Sequence, residues 1–369
     1  MLMRYSIKIP SIFDRNFQKK AQLSFLKKIR SVSNSVVWTR QEKNEFNSFW
    51  FPYSGHHKII SQHHKYFQSI TGVFNPAFIS NYLFYTKIEP FFNPYYLSEY
   101  FQNKSMAQYL FNGIENLLIP KVFFEISREG CFIFNDTMVA KKYAVNACNN
   151  IGTVLIKPSL STARGVGIKI CNIVNGIDTI TNKSLSSILD EYNNRDLIVQ
   201  QWVESSDEMH KLYPFSIGTF RVTTYILNGN IHCGPIALRQ SIGKAKIDGM
   251  NSKGYIIGVN RDSGTLYEHG YFYDDLNPYS LYEHPDTKIP FKDYYVGDVE
   301  KMISVAKHLH TRIPDLGIAS WDLAFGKNGN IVLIELNLHY QGIDINQIAT
   351  ATPIFENHTK ELLDIVFKQ

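Results

Sequence analysis

SWDLAFGKNGNIVLIELNLH, residues 320–339, is the stretch on which the reading of this chain turns. Two apolar runs flank Asn328-Gly329, the strongest short-range hairpin signal, because both central residues of a type I′ turn need positive φ. Counting outward from that turn opposes Lys327 to Asn330, Phe325 to Val332, Leu323 to Ile334 and Asp322 to Glu335. Asn337 lies two residues further along the same face. Directly opposed residues of an antiparallel pair have Cβ atoms about 4.5 to 5.5 Å apart, so Asp322 and Glu335 are like charges forced together. Such a pair is destabilising unless a cation sits between them. Two carboxylates and an amide oxygen are hard donors that suit Mg²⁺, which binds through one or two carboxylates and fills its octahedron with waters and substrate phosphates. The apolar neighbours Leu323, Leu333, Ile334 and Leu336 argue against a merely solvated face.

Two further stretches carry candidate chemistry. In VLIKPSLSTARGVGIKI, residues 154–170, a β-branched strand delivers Lys157 and Pro158, and a loop of small and hydroxyl residues leads to Gly165-Val166-Gly167. Such loops let backbone N–H groups approach phosphate oxygens, and a Lys on a strand supplies a point charge. The pattern is neither a Walker loop nor a dinucleotide fingerprint, and alone it also suits an ordinary hairpin. In FSIGTFRVTTYILNGNIHCGPIALRQS, residues 215–241, Arg221 and Arg239 interrupt apolar strands, where a buried Arg needs an anionic partner. Strict counting from Asn228-Gly229 opposes Arg221 to Ile236 and puts Arg239 on the other face. A bulge at Gly234-Pro235 would change this, so their convergence stays open.

The chain around these stretches has 369 residues, 44% hydrophobic and 14% aromatic, which excludes a mainly disordered chain or a rod and allows two or three structural units. The net charge of +5 is local: the first 60 residues carry eleven Lys and Arg against three Asp and Glu, leaving 27 against 30 elsewhere. Cys131, Cys148, Cys171 and Cys233 form no CxxC pair, which argues against a zinc ribbon or a disulfide framework and fits a reduced cytosolic setting. Neither a signal peptide nor a long apolar run is seen, so a soluble or peripheral protein is expected.

Residues 15–33 read as a basic amphipathic helix, with Phe17, Ala21, Phe25, Ile29 and Val32 in one arc and Lys19, Lys20, Lys27 and Arg30 opposite. Packing on the body with a solvated basic face is the plain expectation, and docking on an anionic membrane surface is the other. Residues 73–100, punctuated by Pro76, Pro90 and Pro94, are expected to form short elements. Helix and strands are expected over 103–171, mostly strands beyond 197, and helices at 298–312 and near 354–367. His56-His57 and His63-His64 read as exposed or packed rather than as metal ligands.

Taken in order, the stretches beginning at Asn75 and ending at Ile348 resemble the ATP-grasp superfamily, and closely its sugar-transfer-associated branch. The resemblance rests on NPAFISNYLFYTKIEPFFN, NKSMAQYLF, VLIKPSLSTARGVGI, LIVQQWVE, SIGTFRVTTYILNG, ALRQS, IDGMNSKGYIIGV, HPDTK, SWDLAF and LIELNLHYQG. It implies an α+β fold in which two α/β subdomains clamp ATP, preceded by a smaller N-terminal domain. The corresponding division is 1–100 for the N-terminal region, 101–203 for the subdomain with the phosphate loop, and 204–369 for the subdomain with the metal and substrate site.

The resemblance also implies roles. Lys104 and Lys157 would contact the α- and β-phosphates, and the 159–167 loop, with Ser159, Ser161, Thr162, Gly165 and Gly167, would fold over the triphosphate. The Gln200, Gln201, Trp202 and Val203 segment is similar to the hinge that holds adenine, and Glu208 falls near the ribose-binding acid. Arg221 and Arg239 would meet the transferring phosphoryl group or the acidic substrate. Asp322, Glu335 and Asn337 match the metal triad. The loop SLSTARGVG is less glycine-rich than many, and Gly249-Met250 separates Ile247-Asp248 from Asn251 where the family has an Asp-Asn pair. The implied activity is ATP- and Mg²⁺-dependent ligation of a small carboxylate to an amine, adding an amino acid or similar group to a nucleotide- or lipid-linked precursor of a cell-surface polysaccharide such as a capsule. A cytoplasmic protein at the inner face of the membrane, touching it through residues 15–33, would fit that substrate. His284, Asp286 and His339 lie in matched loops and are candidates to line the substrate pocket. The rival reading is a non-catalytic ATP- or glycan-binding protein of the same fold. A nucleic-acid partner is not expected, because no RNP-type or helix-turn-helix pattern appears.

Overall fold

The computed structural model describes residues 13–53, 57–159, 167–246, 254–272 and 279–368. Two sheets carry the fold, the smaller antiparallel throughout and the larger antiparallel apart from one parallel pair at its edge. In the smaller one Gly152–Pro158 lies between Leu197–Gln201 and Lys169–Val174, with Val122–Ile126, Phe132–Phe134 and Thr137–Val139 beyond the first neighbour and Ile177–Asp178 beyond the second. The larger sheet runs in the order Leu117–Leu118, Ile331–Asn337, Ile318–Phe325, Thr219–Leu227, Ile236–Ser241, Gly254–Val259, Leu266–Phe272 and Ser280–Leu281, and Asn230–Cys233 also pairs with Thr219–Leu227.

Each sheet has its own core. Phe124, Val154, Ile156, Ile173 and Leu197 fill the smaller one with Leu185, Ile188 and Leu189 of the short Leu185–Asp190 helix. In the larger sheet Phe220, Val222, Leu238 and Trp321 pack with the Val299–His310 helix, whose Met302, Val305, Ala306 and Leu309 recur at helical spacing. Asp298 caps it by accepting the Lys301 N–H.

The N-terminal region is helical, and its cores are shared with the rest of the chain. Trp38, Phe46, Trp50 and Ile60 join Tyr225, Ile343, Ile354 and Leu362 in one cluster. The basic helix breaks at Ile29 into Phe13–Lys28 and Arg30–Ser35. Leu26 and Ile29 are buried against Tyr66, Phe67, Phe78 and Ile256, with Phe25 and Val32 partly buried beside them, so the apolar face is spent on the body. Lys19, Lys20, Lys27 and Arg30 stay exposed, whereas Ala21 is exposed rather than in the apolar contact. His63 and His64 are buried; His64 packs on Phe46 and Trp50, and burial lowers its pKa to about 4. No helix among the described residues is long and apolar enough to cross a membrane.

The C-terminal hairpin departs from the count outward from its turn in two compensating ways. Gly329 has positive φ but Asn328 does not, so the turn is not type I′. The turn is longer: Phe325 pairs with Ile331, Ala324 with Val332 and Leu323 with Leu333. A bulge then takes up Ile334, and Asp322 faces Glu335 after all, with Ser320 opposite Asn337. The turn at Asn228-Gly229 does have both residues at positive φ, 51° and 72°.

Three short helices fill 81–92 and 95–101 as the prolines suggested, with a π turn at Phe84–Ile88 ahead of Pro90. The Ile343–Thr350 helix was not expected. It buries Asn346 and Gln347, which sequence patterning assigns to solvent. Asn346 donates to the carbonyls of Arg221 and Pro235, and Gln347 bonds the backbone of Ile79.

Candidate active site

Four neighbouring strands present the charged residues. Asp322 pairs with Glu335 on one side and with Arg221 on the other, so the three lie in one row across the sheet. Arg239 joins them through a bulge. From Cys233 opposite Thr224 to Ala237 opposite Arg221, three residues of one strand face two of the other, which moves the register by one. Arg239, two residues past Ala237, therefore shares the face of Arg221. Gly234 opens this bulge against the body: a Cβ there would lie 2.4 Å from the Ile354 carbonyl oxygen, so only glycine fits.

Arg221 is buried and donates to both carboxylate oxygens of Asp322, from Nε at 2.6 Å and Nη2 at 3.2 Å, and from Nη1 to the Gln341 carbonyl. Arg239 Nη1 lies 3.6 Å from the same carboxylate and is more open, its side chain 20% exposed. Burial alone would raise the Asp322 carboxyl, but Arg221 and then Arg239 outweigh it and hold it below the ordinary carboxylate range. Glu335 is neutralised separately, by Lys104 Nζ at 2.9 Å. The two opposed carboxylates are thus each met by a cation of the protein itself.

The smaller sheet closes the cleft from the other side. Lys157, on Gly152–Pro158, is buried and lines it with Gln200, Lys104, Leu333 and Glu335. Burial lowers the Lys157 ammonium to about 8; nearby Glu335 pulls it up and Lys104 pushes it down. Lys104 opens a short turn capped by Asn103, and its N–H donates to the Ser159 carbonyl at 3.0 Å. Gly167 has φ +78° beneath the Pro158 ring. Ser161, Thr162 and Gly165 lie outside the described residues, as do Ile247, Asp248, Gly249, Met250 and Asn251.

The segment from Gln200 to Val203 is tied to both sheets. The Gln201 and Trp202 N–H groups donate to Lys121 and Thr153, and the Gln200 side chain donates to the Pro120 carbonyl. Just past Val203, Ser206 N–H donates to Phe325 and Lys327 N–H to Glu204, which pins the crossing to the hairpin turn. Glu208 is exposed on the Asp207–Leu212 helix; its carbonyl accepts the Tyr294 hydroxyl, and no described hydrogen bond or ion pair of its side chain joins it to the charged cluster. His284 is a loop staple, accepting from the Asp286 and Thr287 N–H groups and stacking on Tyr213, while Asp286 accepts the Gly243 N–H.

The profile of the sugar-transfer-associated ATP-grasp family matches residues 83–361. The chain belongs to that family. Solved structures similar to this ATP-grasp chain include the ATP-grasp ligase PsnB complexed with minimal precursor, at 11% identity and a TM-score of 0.40, covering 75% of this chain and 63% of that one. VanG D-Ala:D-Ser ligase from Enterococcus faecalis matches at 12% and 0.39, over 72% and 61%. D-alanyl-alanine synthetase A from Vibrio cholerae O1 matches at 10% and 0.41, over 73% and 66%. The ATP-grasp chain spans less than two thirds of each of these proteins. No curated protein matches it.

The residues present fit a divalent ion. Asp322 and Glu335 face each other across neighbouring strands, and with Asn337, two residues on, they offer hard oxygens of the kind that Mg²⁺ takes. Among the described residues no cluster of three His, Cys, Asp or Glu offers a competing site. Sequence reasoning did not find Glu89, a buried carboxylate whose pKa is raised by burial and which faces His339. Its only signal was an acid inside the aromatic run KIEPFFN.

Proposed function

We propose that this ATP-grasp chain is an ATP- and Mg²⁺-dependent ligase that joins a carboxylate to an amine through an acyl phosphate. The observation that carries the reading is the row of Arg239, Arg221, Asp322 and Glu335 across the larger sheet, whose Glu335 end meets Lys104 and Lys157 in the cleft between the sheets. A substrate carboxylate oxygen bonds to the γ-phosphorus of ATP as the bond to ADP breaks. The amine nitrogen then bonds to the acyl carbon, phosphate leaves with the C–O electron pair, and the nitrogen gives up a proton. Such chemistry needs position and charge neutralisation rather than a nucleophilic side chain.

Asp322, Glu335 and Asn337 would hold Mg²⁺, which when bound neutralises charge on the phosphates. Lys157 supplies a buried positive charge for the phosphates, and Lys104 exchanges Glu335 for them. Arg221 keeps the Asp322 carboxylate ionised and in place, and the more open Arg239 meets the transferring phosphoryl group or the acidic substrate. Ser159 to Gly167 cover the triphosphate, Gln200 to Val203 hold the adenine, and Glu208 meets the ribose. Residues 101–203 and 204–369 then act as the two halves of the clamp, behind the 1–100 region.

The family's association with sugar transfer supports an amino acid or similar group added to a sugar-linked polysaccharide precursor. Mass analysis after incubating the protein with MgATP, amino acids and nucleotide- or lipid-linked sugars tests this. New product masses and ADP release are expected, both lost in Asp322→Asn. ATP binding with no ADP release from any pool would leave the rival, a binding protein, standing.

In the same proposal the protein works in the cytoplasm and touches the inner face of the membrane. Because the apolar face of the basic helix is packed on the body, exposed lysines and Arg30, among them Lys19, Lys20 and Lys27, are what it offers that contact, through charge. Flotation with phosphatidylserine vesicles at low salt should be lost when Lys19, Lys20 and Lys27 are changed to Glu. Equal flotation of both proteins rejects the contact.

A further inference from the structure

Arg239 reaches the charged row through the bulge at Cys233, Gly234 and Pro235, and the body of the protein holds that bulge from three sides. Pro235 gives the ladder no N–H, and a bulge leaves ladder groups unpaired. Asn346, fully buried on the Ile343–Thr350 helix, spends its side-chain NH₂ on two backbone carbonyls, those of Pro235 at 2.7 Å and Arg221 at 2.8 Å. One side chain thus ties the strand of Arg221 to the bulge that precedes Arg239.

The second hold is Arg261. Its Nη1 donates to the Cys233 carbonyl at 2.9 Å and its Nη2 to Glu356 Oε1 at 2.7 Å. Glu356 has φ +49°, a left-handed backbone that is uncommon for such a residue. The third hold comes from the same turn: the Ile354 carbonyl stands behind Gly234, where no Cβ fits.

So many contacts are not needed to choose the face of Arg239. Alternation already turns Ile236 and Leu238 into the larger core, and Arg239 then points the other way. What the contacts add is position. Asp322 does not supply it, because Arg239 Nη1 lies 3.6 Å from that carboxylate, beyond hydrogen-bond length. A group that meets a transferring phosphoryl must be held to within about 0.5 Å by the residues around it.

We propose that Asn346 and Arg261 are positioning residues for Arg239, fixing the bulge so that the guanidinium stands where the phosphoryl group is transferred. This rests on the ligase reading and adds to it two residues that act through the backbone of Cys233 to Pro235.

Hydrogen exchange and calorimetric titration of the full chain test this, with inorganic phosphate beside saturating MgADP as the probe. Asn346→Leu removes the two donors at similar volume, and Arg261→Met changes a side chain 35% exposed, where the core is spared. In both variants amide exchange should speed up over 233–239 and not over 318–325. Phosphate affinity should fall about tenfold, as in Arg239→Met, the worth of one charge-assisted hydrogen bond. MgADP affinity should change by less than about twofold, as expected of a separate site. Added to Arg239→Met, neither change should weaken phosphate further, since all three act on one contact. A side chain that only stabilised the fold would move exchange across the whole sheet and both affinities together. Unchanged exchange over 233–239, no phosphate uptake by the wild type, an equal fall in both affinities, or losses that add to that of Arg239→Met overturn the proposal. Failure of the ligase reading shows separately, as a wild type that releases no ADP from any substrate pool, and leaves these measurements intact.

Discussion

Arg221→Met should lower the stability of the protein by about 3 to 5 kcal/mol, the usual cost of removing one partner of a buried ion pair. Arg221 and Asp322 are both buried, and the guanidinium makes two of its bonds to that carboxylate and a third to Gln341. With Arg221 gone, Asp322 keeps Arg239 at 3.6 Å, too long for a hydrogen bond, and the amide of Asn337. Urea unfolding measures the loss as a lower midpoint at unchanged slope. Arg221→Lys should recover little, because an ammonium cannot reproduce the planar fork. The sign with pH follows from Asp322, whose folded pKa lies below its unfolded value. Its pairing contributes stability that is full above the unfolded carboxylate range and is lost as pH falls through the folded pKa. The wild type should lose this increment in acid, and the variant should have little of it to lose. Equal stability of variant and wild type at neutral pH would mean that the pair is not formed.

Lys157→Met should move function and stability in opposite directions. The Lys157 ammonium is fully inside the protein, and burial brings its pKa down to about 8. Below that pH the folded state carries a poorly solvated charge, so a methionine of similar length should make the protein roughly 1 to 3 kcal/mol more stable at neutral pH. Nucleotide affinity should fall about 30-fold or more, the loss of a charge-assisted contact to phosphate in a dry site. Calorimetric titration with MgADP and a thermal melt read the two effects. For the wild type, the folded pKa lies below the unfolded value, so the folded state binds fewer protons between them. Its stability should therefore rise as pH climbs from about 8 toward the unfolded lysine range. Affinity for MgADP should weaken over the same rise, because the neutral amine offers phosphate no charge. A bound phosphate favours the ammonium, so binding near pH 8 should take up protons, visible as a buffer-dependent heat. Unchanged affinity in Lys157→Met would remove Lys157 from the phosphate site.

Much of the site was legible because it is written in short-range pattern. Apolar runs either side of an Asn-Gly turn bring Asp322 opposite Glu335, and that count survived a wrong turn type because the longer turn and the bulge at Ile334 cancel. That Arg221 and Arg239 share a face was not legible in the same way. It depends on one extra residue near Gly234-Pro235, and whether a Gly-Pro step bulges is decided by what stands behind it, here the Ile354 carbonyl 120 residues later in the chain. Burial of Asn346 and Gln347 was hidden too, since a polar residue reads as solvent-facing until its distant partners, Arg221, Pro235 and Ile79, are in place.

What the sequence determined by itself is the class of fold, the hairpins and the facing of Asp322 and Glu335, the last two set by neighbours within about twenty residues, where strand alternation and turn preference act. Tertiary structure alone decided which cations meet which carboxylates and where the basic helix turns its apolar face. It also decided that Glu89 and Gln102 close around His339. The ion pairs and the contacts to His339 join residues about 80 to 250 positions apart, and their strength comes from burial, which exists only once the sheets and helices have packed.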